Sequence, residues 1–406
     1  MITFTRAATA ALLACAVALP ATALPAAAAS PAPSVSLSAP VAPVAPAAPA
    51  TAIRLPAPTG AFGVGASVLH LVDRSRTDPY VPSAGARELM VTVHYPAART
   101  ARGGAPAPYA TEEEARLVLV GLEKTDPADI RALAGIDTYS GRDVRLAPGK
   151  HPLVVLSPGF GVPRFLLTSL ATDLASHGYV VASVDHAYEN SGMSVPGGPA
   201  LTCVACTQMH EGKIKGADVT AVRAADVRFL LDRLTGPRAV ATWPYARTID
   251  PARIGMAGHS IGGAAAATAM VADRRIDAGV NMDGAFWDTL PADGLGGRAF
   301  MFLGTDDEMH RPGGVDTSWD TTWKALGGFK RWLTVSGANH FTFTDAPVLL
   351  RGLDVPDEGA TIPADRALAV TRAYVGAFFD ERLRDRPQPL LTGPSPLHPE
   401  VRFQQP

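Results

Sequence analysis

Short apolar runs rich in valine, leucine and isoleucine alternate along this chain with longer segments of helical periodicity. This alternation predicts an α/β fold, in which helices cover both faces of a mostly parallel sheet. Eight of the runs have the length and composition of strands. They occupy residues 66–72, 88–95, 152–156, 179–184, 253–258, 279–282, 299–303 and 331–335. The sequence therefore predicts an eight-stranded sheet.

The segments between the runs contain apolar stripes at the i, i+3, i+4, i+7 spacing of a helix that packs on a sheet. One stripe consists of Val227, Leu230, Leu231 and Leu234. Thr111 followed by Glu114 has the pattern of a capping box and predicts the start of another helix. A last helix is marked by Leu368, Val375, Phe378 and Phe379. We expect the proline-rich tail, residues 387–406, to be loosely ordered.

The amino-terminal region has the pattern of an export signal. Arg6 is its only charge, residues 7–24 are apolar, and residues 27–29 offer small side chains for cleavage. Residues 30–58 consist largely of alanine, proline, serine and valine, which favours a disordered tether. We therefore expect a signal peptide over 1–29, the tether over 30–58, one folded domain over 59–386, and a secreted protein.

Membrane anchoring is the alternative to secretion. Leu12 to Cys15 resembles a lipobox, in which Cys15 would carry a lipid. The apolar run continues well past Cys15, and this favours the soluble signal.

Composition limits the classes of partner. The 406 residues are 47% hydrophobic, and 36 basic against 38 acidic side chains leave a net charge of -2. Because no basic field is present, we expect no nucleic-acid partner. Nothing in the sequence implies a protein partner, so the expected ligand is a small or neutral molecule.

Cys203 and Cys206 are the only cysteines after the signal, and in an oxidising compartment such a pair forms a short disulfide. A zinc site with His210 as third ligand and a redox C-x-x-C are the alternatives. We expect the disulfide and no metal.

Residues 258–262 read Gly-His-Ser-Ile-Gly and lie between a predicted strand and the helical run 264–272. A serine at a sharp strand-to-helix turn, with small neighbours, projects its hydroxyl above the sheet as a nucleophile. The helix N-terminus behind it favours developing negative charge. Ser260 is therefore the candidate nucleophile.

A serine hydroxyl needs a base to take its proton. His340 follows the last predicted strand and comes after the serine in chain order, as this arrangement requires. His259 adjoins the nucleophile, and we expect its side chain to point away. The oxyanion needs two backbone donors, for which we predict the amides of Ile261 and of Phe160 in the Gly-rich loop after the third strand.

The acid that orients the histidine has two candidates. Asp283 ends the sixth predicted strand, and Asp306 ends the seventh. Either position can reach His340 in such a sheet.

Residues 156–161, 173–181, 258–263 and 282–284 together resemble the plasma-type platelet-activating-factor acetylhydrolases and their bacterial lipase relatives, over about 66–379. The resemblance implies an α/β-hydrolase fold with the acid on the sixth strand, and favours Asp283. Polyester hydrolases and cutinase-like lipases of actinomycetes are also similar, and imply Asp306 or Asp307.

What the resemblance implies is a serine esterase acting on short-chain acyl esters, either phospholipids with a short or oxidised acyl chain or short triacylglycerols, with transient contact to a lipid interface. Phe286 and Trp287 would line the mouth of the pocket. Such chemistry requires no cofactor. The alternatives are a polyester or cutin hydrolase and a catalytically silent scaffold that binds a ligand.

Overall fold

A computed structural model describes residues 53–98 and 104–406, and its ten strands form one sheet in the order β10-β9-β8-β7-β6-β4-β5-β2-β1-β3. Strands β4 to β9 run parallel, whereas β1/β2, β2/β5 and β9/β10 pair antiparallel. The strands are β1 Gly63–Thr77, β2 Ala86–Ala97, β3 Ser140–Arg142, β4 His151–Ser157, β5 Val180–His186, β6 Ile249–His259, β7 Ile276–Met282, β8 Ala299–Thr305, β9 Lys330–Val335 and β10 Val401–Phe403. The predicted α/β class with a mostly parallel sheet is confirmed.

The count of eight strands was wrong. All eight predicted strands are present, but β3 and β10 add one strand at each edge of the sheet. Each is only three residues long, which is too short to show the alternation that identifies a strand in sequence.

The predicted looseness of residues 387–406 also differs from the structure. β10 pairs with β9, and Leu391 and Val401 are buried in the core. Extended backbone near the end of the chain can satisfy the free hydrogen-bonding groups of an edge strand, and here it does so. The predicted tether is packed at its end, since Ile53 and Leu55 are buried. The signal peptide and residues 30–52 of the tether lie outside the described residues.

Helices cover both faces of the sheet. α5 and α7 pack on one face, and α3 and α10 pack on the other. Further apolar side chains from α1, α2 and α9 form a third cluster with the loop after β4. The helices are α1 Glu112–Val120, α2 Pro127–Ala134, α3 Thr168–Ser176, α4 Val204–His210, α5 Gly216–Thr235, α6 Ala239–Thr242, α7 Ile261–Ala272, α8 Thr317–Ala325, α9 Ala346–Gly352 and α10 Ala364–Arg384.

The carboxyl ends of the parallel strands lie at one edge of the sheet, where α/β proteins place their ligand sites. The loop after β4 carries Phe160, and Ser260 follows β6. Asp283 follows β7, Asp306 follows β8, and His340 lies in the loop after β9. The parallel topology therefore gathers these candidates at one edge. No helix in the described part of the chain is long and apolar enough to cross a bilayer.

Candidate active site

Ser260 occupies a strained turn between β6 and α7. Its φ of 55° and ψ of -128° lie where side chains are rarely tolerated. The turn needs glycine on both sides: a Cβ at Gly258 would come 2.1 Å from the carbonyl carbon of Gly262, and one at Gly262 would come 2.1 Å from the Ser157 oxygen. The strand-turn-helix context predicted for the nucleophile is present.

Ser260, His340 and Asp283 form a continuous chain of hydrogen bonds. The Ser260 Oγ lies 3.0 Å from His340 Nε2, and His340 Nδ1 lies 2.6 Å from Asp283 Oδ2. The carboxylate is 2% exposed, whereas the imidazole is 45% exposed. The histidine is therefore open to substrate on one side and held by a buried acid on the other.

Two further groups hold the second oxygen of Asp283. The Thr305 amide donates to Oδ1 at 2.7 Å, and His310 Nδ1 lies 3.2 Å from the same atom. Burial alone would raise the pKa of the Asp283 carboxyl, but the His340 hydrogen bond and the facing His310 outweigh it and leave the pKa below its usual value. Asp283 is thus an ionised, oriented partner for His340.

Asp306 lies away from His340 and has other partners. Its carboxylate accepts from Arg311 Nε at 2.9 Å, Thr334 Oγ1 at 3.0 Å and Ser336 Oγ at 2.9 Å. Arg402 Nε of β10 lies 2.9 Å from Oδ2, the oxygen that also accepts from Ser336. Asp306 therefore connects the loop after β8 to the last two strands, and the neighbouring Asp307 is half exposed beside His310.

The loop that carries Phe160 packs against the turn that carries Ser260, because a Cβ at Gly262 would meet the carbonyl oxygens of Ser157 and Pro158. Ile261 is the first residue of α7, and Phe160 lies in the turn after β4. Neither amide donates to an acceptor within the residues that the structure covers. Both N–H groups are thus available to an oxyanion on a bound substrate.

His259 was expected to point away, but it contacts the catalytic loop. Its ring is fully buried 4.7 Å from the His340 ring, and Nε2 lies 2.7 Å from the His340 carbonyl oxygen. Burial, with the nearby His340, lowers the pKa of His259 to about 3. His259 is therefore a neutral donor that fixes the backbone of His340, a role that sequence position alone did not reveal.

Phe286 and Trp287 differ in their surroundings. Phe286 packs against Phe302 at 5.2 Å between ring centroids and against Trp319. Trp287 is 53% exposed and its ring covers Gly216 at the start of α5. Phe286 thus contacts the aromatic core, and Trp287 has an exposed face.

An apolar groove adjoins both catalytic loops. Val162, which follows the Phe160 turn, and Phe341, which follows His340, form part of its wall. Most of the remaining wall comes from the segment 117–133 and from residues 346–353, which span α9 and its end, and includes Leu117, Leu122, Leu349 and Leu353. This groove can receive the apolar part of a ligand held at Ser260.

The predicted cysteine pair is a disulfide in the structure, Cys203–Cys206 at the start of α4. A separate group of His186, Glu189 and Asp226 brings potential metal-ligand atoms within 4.8 Å of one another. These carboxylates accept from Arg87 and Arg223, so a cation there would have to displace guanidinium partners.

Comparisons with known proteins found both similar sequences and a similar fold. Residues 132–195, which include β4, the Phe160 turn and β5, match the family model of platelet-activating factor acetylhydrolase, isoform II. The chain is 33% identical over 268 residues to a probable 1-alkyl-2-acetylglycerophosphocholine esterase of Arthroderma benhamiae, covering 62% of this chain and 66% of that protein.

A solved structure of a ferulic acid esterase from Streptomyces cinnamoneus superposes with a TM-score of 0.77 at 44% identity, covering 87% of this chain and all of the other. The fold of this chain, a sheet with flanking helices, is therefore shared with a solved esterase structure. The chain belongs to the carboxylic ester hydrolases that resemble the platelet-activating-factor acetylhydrolases.

Proposed function

We propose that the chain is a serine esterase that hydrolyses short-chain acyl esters, including acetylated phospholipids. The observation that carries the proposal is the hydrogen-bonded series from Ser260 through His340 to the buried Asp283. The strained elbow and the unoccupied amides beside it are consistent with acyl transfer.

The mechanism follows from these contacts. His340 Nε2 accepts the proton as Ser260 Oγ attacks the ester carbonyl, and Asp283 stabilises the imidazolium. The Phe160 and Ile261 amides donate to the developing oxyanion. The imidazolium then protonates the leaving alcohol, and a water activated by the same histidine releases the acid and restores Ser260.

Substrate class is supported by the relatives and by the groove. The relative from Arthroderma benhamiae is described as a probable esterase of 1-alkyl-2-acetylglycerophosphocholine, a molecule that carries an acetyl ester and an alkyl group. The apolar groove beside Val162 and Phe341 offers a surface on which such an alkyl group can lie. The structural neighbour's name supports a second candidate, an ester of an aromatic acid such as ferulate.

The test compares turnover of p-nitrophenyl acetate, 1-alkyl-2-acetylglycerophosphocholine, methyl ferulate and a polyester film by the wild type and Ser260→Ala. We expect hydrolysis of the first two, and a loss of about 10⁴-fold or more in the variant. Faster hydrolysis of methyl ferulate or of the film than of the acetyl esters would identify a feruloyl esterase or a polyester hydrolase instead. An unchanged rate of ester hydrolysis in Ser260→Ala would show that Ser260 is not the nucleophile.

We also propose that the enzyme is exported. The apolar run 7–24 with small residues at 27–29 supports this, as does the Cys203–Cys206 disulfide, which persists in oxidising compartments. The intact mass of the protein recovered from the culture medium and from the membranes of cells expressing the full chain would test it. A mature terminus near Ser30 is expected, and retention of Cys15 with a lipid would show anchoring instead.

A further inference from the structure

We propose that Arg223 is a positioning residue that aims the Phe160 amide at the oxyanion. The proposal rests on the serine esterase function. Arg223 lies on α5, is fully buried, and contacts the loop after β4 from the side of the loop that faces α5. It touches neither the Ser260 hydroxyl nor the His340 ring among the contacts of the described residues.

The guanidinium donates to Ser157 at the end of β4 and to the next two residues, which begin the loop. Its Nη1 donates to the Pro158 carbonyl and to Ser157 Oγ at 3.1 Å, and its Nη2 donates to the Gly159 carbonyl at 3.4 Å. A planar fork can hold adjacent acceptors in a fixed geometry, which a lysine ammonium cannot. Arg223 therefore sets the direction of two successive carbonyl groups.

The direction of the Gly159 carbonyl determines that of the Phe160 N–H. The two groups belong to one peptide unit, which is planar and trans, so they point to opposite sides. Because Arg223 holds the carbonyl on its own side, the Phe160 N–H points away from α5. A hydrogen bond from a cation also polarises the peptide, which strengthens the opposite N–H as a donor.

Glu189 connects this arrangement to the rest of the loop. Its Oε2 accepts from Arg223 Nε at 2.7 Å, and its carbonyl accepts from the Gly161 amide at 2.8 Å. Its Oε1 accepts from Arg87 Nη2 at 2.9 Å. The turn that presents Phe160 is thus held on one side by Arg223 and on the other by the backbone of Glu189.

The test is Arg223→Lys, which keeps the buried charge and loses the fork. We expect kcat on p-nitrophenyl acetate to fall by about 10- to 100-fold, toward the loss seen when an oxyanion donor is removed, while KM changes by less than about threefold. Affinity for a trifluoromethyl ketone, which forms a tetrahedral oxyanion on the serine, should fall by the same factor as kcat.

Arg87→Lys is the matched control. Arg87 belongs to the same buried network and shares Glu189, but its bonds go to Asp78, Ala187, Glu189 and Asp226 and to no atom of the loop 157–162. We expect a lower melting temperature and a kcat within about twofold of the wild type. If Arg223 had only a structural role, kcat and the melting temperature would fall to a similar extent in Arg223→Lys and Arg87→Lys.

A folded Arg223→Lys with wild-type kcat and inhibitor affinity would overturn the proposal, as would an equal loss of kcat in Arg87→Lys. Should Arg223→Lys fail to fold, Ser157→Ala removes one of its loop contacts and keeps the ion pairs; kcat should fall several-fold at constant KM, and an unchanged kcat would contradict the role. A folded wild type that neither cleaves the ester nor reacts with a fluorophosphonate would instead refute the proposed serine esterase function.

Discussion

Asp283 and Asp306 are the residues whose comparison tests the site most finely. Each follows a parallel strand, and each carboxylate is nearly buried, yet only Asp283 faces His340. The Asp283→Asn change should lower kcat by about 10⁴-fold with little change in KM, because the amide favours the wrong imidazole tautomer. Asp306→Asn should leave kcat near wild type, since the partners of Asp306 lie in the loop after β8 and on β9 and β10 and include neither Ser260 nor His340 among the described residues.

Steady-state kinetics on a short ester measure both variants, and thermal unfolding shows that they are folded. The reverse result, an inactive Asp306→Asn beside a normal Asp283→Asn, would refute the assignment of the acid and restore the polyester-hydrolase arrangement.

Residues near the reaction differ in how far the sequence predicted them. Ser260 and His340 could be placed because a motif and a chain order mark them. Asp283 needed the family resemblance, since two consecutive strands end in aspartate. His259 and Arg223 were not identified as functional because their contacts are tertiary: their partners lie 81 and 64 residues away.

At the scale of elements, the start of α9 carries a buried acid that is absent from the proposed chemistry. Asp345 is 1% exposed and accepts from Tyr109 Oη at 3.0 Å and from the Ser169 amide at 3.2 Å. Burial raises the pKa of its carboxyl to about 7, well above the value of 3.8 for an ordinary aspartate.

This raised pKa predicts a pH-dependent stability. The folded state retains the proton that the unfolded chain releases, so the contribution of Asp345 is greatest below pH 4 and is lost as the pH rises through 7. Asparagine does not titrate and can still accept from Ser169. The stability of Asp345→Asn relative to wild type should therefore increase from pH 5 to pH 8, by on the order of 2–3 kcal/mol in denaturant titrations. A constant or decreasing difference would show that the carboxyl ionises normally.

Elements with internal periodicity or a defined cap were predictable, and edge elements were not. The capping box of Thr111 and Glu114 at α1 is confirmed, as is the burial of the stripe 227–234 on α5. β10 carries no comparable signal, because its order comes from pairing with β9 and from burial of Val401. Short edge strands thus depend on tertiary contacts that the local sequence does not specify.

At the scale of the whole molecule, the disulfide is a local link and not a support of the fold. Cys203 and Cys206 are three positions apart, so the loop they close constrains few unfolded conformations. Reduction should release two thiols and lower the melting temperature by only about 2–4 °C. Thiol titration with thermal unfolding measures both. Two thiols in the unreduced, denatured protein would refute the disulfide, and unfolding on reduction would refute its minor role.

The overall arrangement explains why one edge of the sheet concentrates the chemistry. Parallel strands deliver Phe160, Ser260, Asp283 and His340 to neighbouring loops, and α1, α2 and α9 build the apolar groove beside them. We therefore expect this edge of the sheet to activate Ser260 as a nucleophile.

Labelling with a fluorophosphonate, followed by mapping of the modified peptide, measures this activation most directly, because only an activated serine reacts readily. We expect one adduct, on Ser260, that is absent in Ser260→Ala and forms far more slowly in His340→Ala. A folded wild type that remains unlabelled, or an adduct that forms at the wild-type rate in Ser260→Ala, would contradict the activation of Ser260.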